Sequence, residues 1–365
     1  MTRLVAADLT WFQGALRSGL SLETAGGTVV RIRPLAADET PDLHVRLIGP
    51  ALTDVQVNGS GGVMFNSEPT ACGIAHIVDL QRQRGTAWVM PTLITCEAER
   101  MRRAADAIIE AWGMAGLLGV HLEGPHIAVA RKGTHSAAFV RPMDEVTLNI
   151  LERLRRRGVP VMLTLAPEVV PTGTLRRIAD LGVVVSAGHS AASAEATRAG
   201  LNAGIACFTH LYNAMPPMTS RDSGILGAAI NSEAFAGVIV DGHHVAWEMV
   251  GLACRARPLP QRMFMVSDAM ATIGGPDHFD LYGERIEVRD GALVNAAGSL
   301  AGAHIDLVGC LGNAVRHVGL SIEEAYAMAA LVARDAMRID RPEISAGQPL
   351  CEVLALTDEL ARRAL

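Results

Sequence analysis

Short apolar runs along this chain end again and again in carboxylates, imidazoles and amides. They are Gln56 and Asn58, His121 and Glu123, His189, His210 and Asn213, Asp241 with His243 and His244, and Asp268. Two imidazoles and one carboxylate from different runs make the three-donor set that holds a zinc-type cation and leaves a position open for water. A cation held this way lowers the pKa of water toward about 7 and polarises a carbonyl. Asp268, at the end of the last run, can take the water proton and hand it to a leaving amine. The chemistry implied is hydrolysis of an amide-like bond. Taken singly, each residue has a plainer explanation: a strand-end histidine is more often a hydrogen-bonded structural residue, Glu123 can be a loop carboxylate, and Asp268 can cap a helix. Their joint placement at the same end of consecutive runs is what favours a site. His44, His76 and His317 lie away from these ends and are expected at the surface.

Eight runs carry these ends: 51–57, 87–95, 117–123, 161–167, 183–189, 206–210, 236–241 and 263–268. Runs that are apolar on both faces suit strands buried on both sides, and helix-like segments between them suit parallel crossovers. The expected class is α/β, a (β/α)8 TIM-like barrel, which gathers every run's C-terminal end on one face. An open doubly wound sheet is the alternative, but it places its ligand at a single switch point. Residues 190–204 are Ala-rich and end in glycine, and Ser321 with Glu324 forms a capping-box start for the helix-like run 323–337. Residues 1–49 and 340–365 hold short strand-like pieces, too few to bury a core alone. They are expected to form one small β-rich subdomain beside a barrel of residues 50–339.

Composition narrows the function classes. The chain has 365 residues, with 32 Lys+Arg against 38 Asp+Glu and a formal net charge of −6, which argues against a nucleic-acid footprint. Half the residues are apolar and only 19% are charged, as a large core requires. No apolar run approaches a bilayer span and the start lacks a signal-peptide pattern, so a cytoplasmic protein without membrane partners is expected. The six cysteines are scattered without a CxxC pair, and reduced core thiols are expected. Lys132 is the only lysine, which leaves a Schiff-base mechanism one candidate, in a loop. The Gly-rich run 58–62 is either an anion cradle or a tight turn. In the loop 216–224, Arg221 is able to hold a phosphate bidentately.

Over residues 48–335 the ordered motifs DVQVNGSGG (54–62), HLEGP (121–125), KGTH (132–135), GHS (188–190), THLYNAM (209–215), DGHH (241–244) and SDA (267–269) resemble the N-acetylglucosamine-6-phosphate deacetylase family of the amidohydrolase superfamily. The resemblance implies metal-dependent hydrolysis of an N-acetylhexosamine 6-phosphate, first of all N-acetylglucosamine 6-phosphate. It makes Glu123, His189 and His210 the metal ligands and Asp268 the catalytic acid/base. It places His135 near the substrate carbonyl, Asn213 and the Ala214 backbone on the sugar, and Arg221 with His244 on the phosphate. Part of that phosphate pair can come from a neighbouring subunit in such enzymes, so a homodimer is implied. Where many amidohydrolases carry HxH, this chain has Gln56 and Asn58, and its fourth run has no lysine. Amides are poor transition-metal ligands, which favours one divalent ion per subunit, zinc first, with iron and manganese acceptable to the same donors. Three departures stand out: His126 follows HLEGP where phenylalanine is expected, Gly49-Pro50 inverts the usual order, and Cys351-Glu352-Val353 replaces a familiar C-terminal segment. His126, Gln56 and Asn58 are thereby candidate pocket residues. Rival readings are another amidohydrolase-type amidase or deaminase, a deacetylase of an unphosphorylated or epimeric amino sugar, and a non-catalytic sugar-phosphate-binding barrel.

Overall fold

Strands that are buried on both faces have no side from which a helix can be omitted, and the chain folds accordingly. The computed structural model describes residues 2–365. Eight parallel strands follow one another in register order: β1 (Leu52–Val57), β2 (Thr86–Ile94), β3 (Val120–Glu123), β4 (Val161–Leu165), β5 (Val184–Ala187), β6 (Ile205–Phe208), β7 (Phe235–Val238) and β8 (Met263–Met265). A helix lies between each consecutive pair, and Leu307–Asn313, Ile322–Ala330 and Val332–Met337 follow β8. The sheet closes on itself: Val57 bridges Ala269 in parallel, and the amides of Asn58 and Gly59 both donate to the Ala269 carbonyl. Closure removes the open doubly wound alternative. The Asp54 carboxylate reinforces it from inside, accepting from the amides of Gln56 on its own strand and Ser267 beyond β8.

The barrel interior is layered, as expected for this architecture. Val55, Met90, Met162, Val184, Cys207 and Phe264 fill its lower part. Above them lies a hydroxyl layer in which His121 meets Thr164, Thr164 meets Thr209, and Thr209 meets Ser186. The helices close the outside with amphipathic faces. Glu145–Arg156, for example, starts at Asp144, whose side chain caps the Thr147 amide, and buries Leu148, Leu151 and Leu154.

Local readings of the sequence meet the structure at specific residues. The capping box of Ser321 and Glu324 is present in both halves, but the helix it starts breaks at Leu331. The helix expected over 190–204 spans Ala194–Asn202, because the Ser193 side chain caps the Ala196 amide. Strands β5, β6 and β8 end two to three residues earlier than the apolar runs do, since His189, His210 and Asp268 have left-handed backbones, with φ of 48°, 29° and 52°. The Gly-rich run is a turn rather than an anion cradle: the amides of Gly59, Gly61 and Gly62 all donate to carbonyls of 269–273, and Gly59–Ser60 pairs with Val63–Met64. Of the cysteines, Cys96, Cys207, Cys254 and Cys310 are buried, while Cys72 and Cys351 are exposed, correcting the reading of all six as core thiols.

The terminal segments build one sheet in the order 353–356, 43–50, 2–12, 20–25 and 28–34, with Ala15–Arg17 pairing to the 2–12 strand. Gly49 is required where it stands: a Cβ there would collide with the Tyr326 ring, whose hydroxyl donates to the Pro50 carbonyl. A three-stranded antiparallel sheet, His278–Leu281, Glu284–Arg289 and Ala292–Val294, follows β8 and interrupts the β/α alternation. Nothing in the periodicity had separated it from the barrel. No helix among the described residues is long and apolar enough to cross a membrane.

Candidate active site

At the C-terminal face of the barrel a cleft of about 250 Å³ opens above β3, β5, β6 and β8. On its floor Glu123 Oε1 lies 3.1 Å from His189 Nε2 and 2.9 Å from His210 Nε2, and the two Nε2 atoms are 3.1 Å apart. All three residues are buried. His189 Nδ1 must donate to the Arg131 carbonyl, 2.8 Å away, because that oxygen can only accept. In the neutral ring, Nε2 then presents a lone pair to the shared point. Two buried ring nitrogens and a carboxylate oxygen facing one another are unfavourable unless positive charge sits among them, so the donor set suits a divalent cation. Burial pushes the Glu123 carboxyl up, yet the His189 and His210 rings beside it outweigh that and hold it well below the usual range.

Asp268 faces this group. Its Oδ1 accepts from Asn58 Nδ2 at 2.7 Å and Gln56 Nε2 at 3.2 Å, which leaves the other oxygen toward the cleft. Burial, then the charge on Glu123, pushes its carboxyl up to about 6. Gln56 also reaches both oxygens of Glu123 at 3.3 Å. The two amides are thus fasteners beneath the floor rather than part of the cleft lining. The left-handed backbones at His189, His210, Ala214 and Asp268 each cost on the order of 1–3 kcal/mol. That strain turns side chains at the strand ends inward toward the barrel axis.

His135 lines the cleft, with its ring centroid 4.3 Å from that of His189 and its Nδ1 2.7 Å from Thr95 Oγ1. Burial, with the neighbouring His189 adding to it, pushes its protonation well below the ordinary range, so the ring is neutral. Asn213, Ala214 and His244 also line the cleft. Asp241 orients His244: its Oδ2 accepts from His244 Nδ1 at 2.7 Å, and its Oδ1 accepts the amides of His243 and His244.

Several residues singled out in the sequence stand elsewhere. Arg221 is exposed on the loop between β6 and the following helix, outside the cleft, with no hydrogen bond or ion pair among the described residues. His126 is fully buried behind the wall, bonded to the Arg141 carbonyl and Thr147 Oγ1, and takes no part in the cleft. His121 sits one layer down with both nitrogens satisfied, by the Val55 carbonyl and Thr164 Oγ1. His243 points outward, and Lys132 does not line the cleft, which leaves a Schiff-base mechanism without its lysine.

The sequence reading passed over Thr95, although it ends the second run and the strand-end rule would have found it. It also passed over the apolar side of the cleft, Ile94, Met270 and Leu300, which carries no signal that separates it from ordinary core.

No family model matches the sequence. Curated relatives do. An N-acetylgalactosamine-6-phosphate deacetylase of Shewanella sp. (strain ANA-3) is 36% identical over 343 residues, 91% of this chain and 86% of the relative. An N-acetylglucosamine-6-phosphate deacetylase of Haemophilus influenzae is 31% identical over 86% of this chain and 84% of its own length. Among solved structures, an aspartate-to-alanine mutant of the Mycobacterium smegmatis N-acetyl-D-glucosamine-6-phosphate deacetylase, in complex with N-acetyl-D-glucosamine 6-phosphate, superposes with a TM-score of 0.87 at 27% identity, covering 99% of this chain and 96% of that one. With identity at this level over most of the chain, the protein belongs to the N-acetylglucosamine/N-acetylgalactosamine-6-phosphate deacetylase family of the amidohydrolase superfamily.

Proposed function

We propose that this chain hydrolyses the acetamide of an N-acetylhexosamine 6-phosphate, gluco or galacto, releasing acetate and the amino-sugar phosphate. The observation that carries this reading is the convergence of Glu123, His189 and His210 opposite Asp268 at the floor of one cleft. One zinc ion, with iron or manganese as chemically acceptable substitutes, supplies Lewis-acid polarisation of the acyl carbonyl and acidification of water when those three residues hold it.

The chain's own residues do the rest. Asp268, fixed through one oxygen by Asn58 and Gln56, uses the other to take the proton of the attacking water and then gives it to the departing amine. His135, anchored through Nδ1 on Thr95, turns its other nitrogen toward the acyl oxygen. Asn213 and the Ala214 backbone meet the sugar, and His244, held by Asp241, meets the phosphate. Arg221 lies too far out to complete this cleft and serves the cleft of a second copy in a homodimer.

The test is acetate release from N-acetylglucosamine and N-acetylgalactosamine, each with and without a 6-phosphate, alongside elemental analysis of the purified protein. The expected result is acetate from a 6-phosphate, weak or no release from the free sugars, and about one divalent ion per chain. Folded, metal-loaded protein that releases no acetate from either 6-phosphate contradicts the proposal.

A further inference from the structure

The cleft has two unlike sides. Asn213, Ala214 and His244 come from the ends of β6 and β7. Beside Asp268, on the side toward β8 and β2, Ile94, Met270, Leu300 and Gly302 line the cleft, with no polar side chain among the four. That apolar side is the exposed margin of a separate core. Ile94 and Met270, each 2% exposed, pack in one cluster with Phe279, Leu281, Ile286 and Leu293 of the inserted sheet. Leu300 hangs from the same sheet: it bridges Val294, and the next amide, Ala301, donates to the Leu293 carbonyl. Gly302 has φ +70°, and a Cβ there would strike the Met270 side chain, so the Met270 arm lies directly against the backbone that carries Leu300.

A hexosamine 6-phosphate is polar over its ring and phosphate, and its one wholly apolar group is the methyl of the acyl chain. The scissile carbonyl carbon must sit beside Glu123, His189, His210 and Asp268. With the phosphate and ring toward His244 and Asn213, the acyl methyl is directed to the other side. We propose that Ile94, Met270 and Leu300 form the acyl-methyl pocket, and that Leu300, carried by the inserted sheet, sets the longest acyl group the enzyme accepts. This inference rests on the deacetylase reading. It places the control of acyl length on an element outside the β/α repeat, so that acyl range and the catalytic floor are free to vary independently.

Leu300 is suited to a test because it is partly exposed and absent from the buried clusters, so trimming it leaves the core intact. The measurement is kcat/KM for N-formyl, N-acetyl, N-propionyl and N-butyryl hexosamine 6-phosphates with wild type, Leu300→Ala and Leu300→Phe. One methylene in a hydrophobic pocket discriminates by about 10–200-fold. Wild type is therefore expected to prefer acetyl over propionyl by at least about ten-fold. Leu300→Ala is expected to recover about ten-fold or more of that ratio, and Leu300→Phe to shift preference toward formyl. A general loss of activity from misplaced structure would lower all four substrates together and leave the ratios alone. Acetate release with propionyl-to-acetyl and formyl-to-acetyl ratios unchanged in both variants overturns the pocket assignment while the deacetylase reading stands. No acyl release from any of the four by folded, metal-loaded wild type overturns both.

Discussion

At the scale of single residues, the proposed mechanism turns on one carboxylate kept in a buried site. Burial and the charge of Glu123 push Asp268 up to about 6, and a base works only when ionised. The kcat/KM of the enzyme is therefore expected to fall as pH drops through about 6, and a cation beside Glu123, by favouring the ionised form, moves that limb lower still. An acid limb above pH 7 would contradict the assignment. Asp268→Asn keeps the shape and the bond to Asn58 but cannot take a proton. It is expected to retain bound metal and lose about 10²–10⁴-fold in kcat, measured by acetate release with parallel elemental analysis. The residue scale is also where the sequence was both most and least informative. Glu123, His189, His210 and Asp268 stand out because each ends a buried apolar run, and an ionisable group there faces either water or a site. His121 and His126 look no different on paper, yet both are buried with their ring nitrogens satisfied, His121 one layer beneath the floor and His126 behind the wall.

At the scale of elements, the decisive contact is between the first and last strands. Asp54, wholly buried, ties the Gln56 amide of β1 to the Ser267 amide beyond β8, one residue before Asp268. Burial pushes its carboxyl up to about 7, against about 3.9 in an unfolded chain. Because the folded value is the higher one, this group's contribution to stability is full below about pH 4 and is lost as pH rises through about 7. Asp54→Asn has no such titration. Its melting temperature relative to wild type is therefore expected to improve as pH rises from about 4 to about 7; parallel curves would sink the assignment. The same tie explains why the amides Gln56 and Asn58 reach Asp268 at all. They sit more than two hundred residues away in sequence, and only barrel closure makes them neighbours.

At the scale of the whole molecule, Arg221 is the residue that one chain leaves unused. We propose that it crosses to a second copy and binds the 6-phosphate there, opposite His244. Arg221→Ala is expected to raise KM for the phosphorylated substrate by about ten-fold or more, in line with a lost charge-assisted bidentate contact, and to leave an unphosphorylated analogue unchanged. Mixing Arg221→Ala with Asp268→Asn protein should restore activity, because the second supplies the arginine to an intact floor in the first; mixtures no better than their parts would refute the exchange. What the amino-acid sequence determined by itself was the order of strands and helices and the kind of donor at each strand end, since alternation of buried runs and capped helices is written locally. Tertiary structure alone decided which donors meet. Barrel closure joins β1 to β8, left-handed turns at His189, His210 and Asp268 swing side chains toward the axis, and the inserted sheet backs an apolar wall of residues that read as ordinary core. Those are matters of distance between remote segments, which local pattern does not encode.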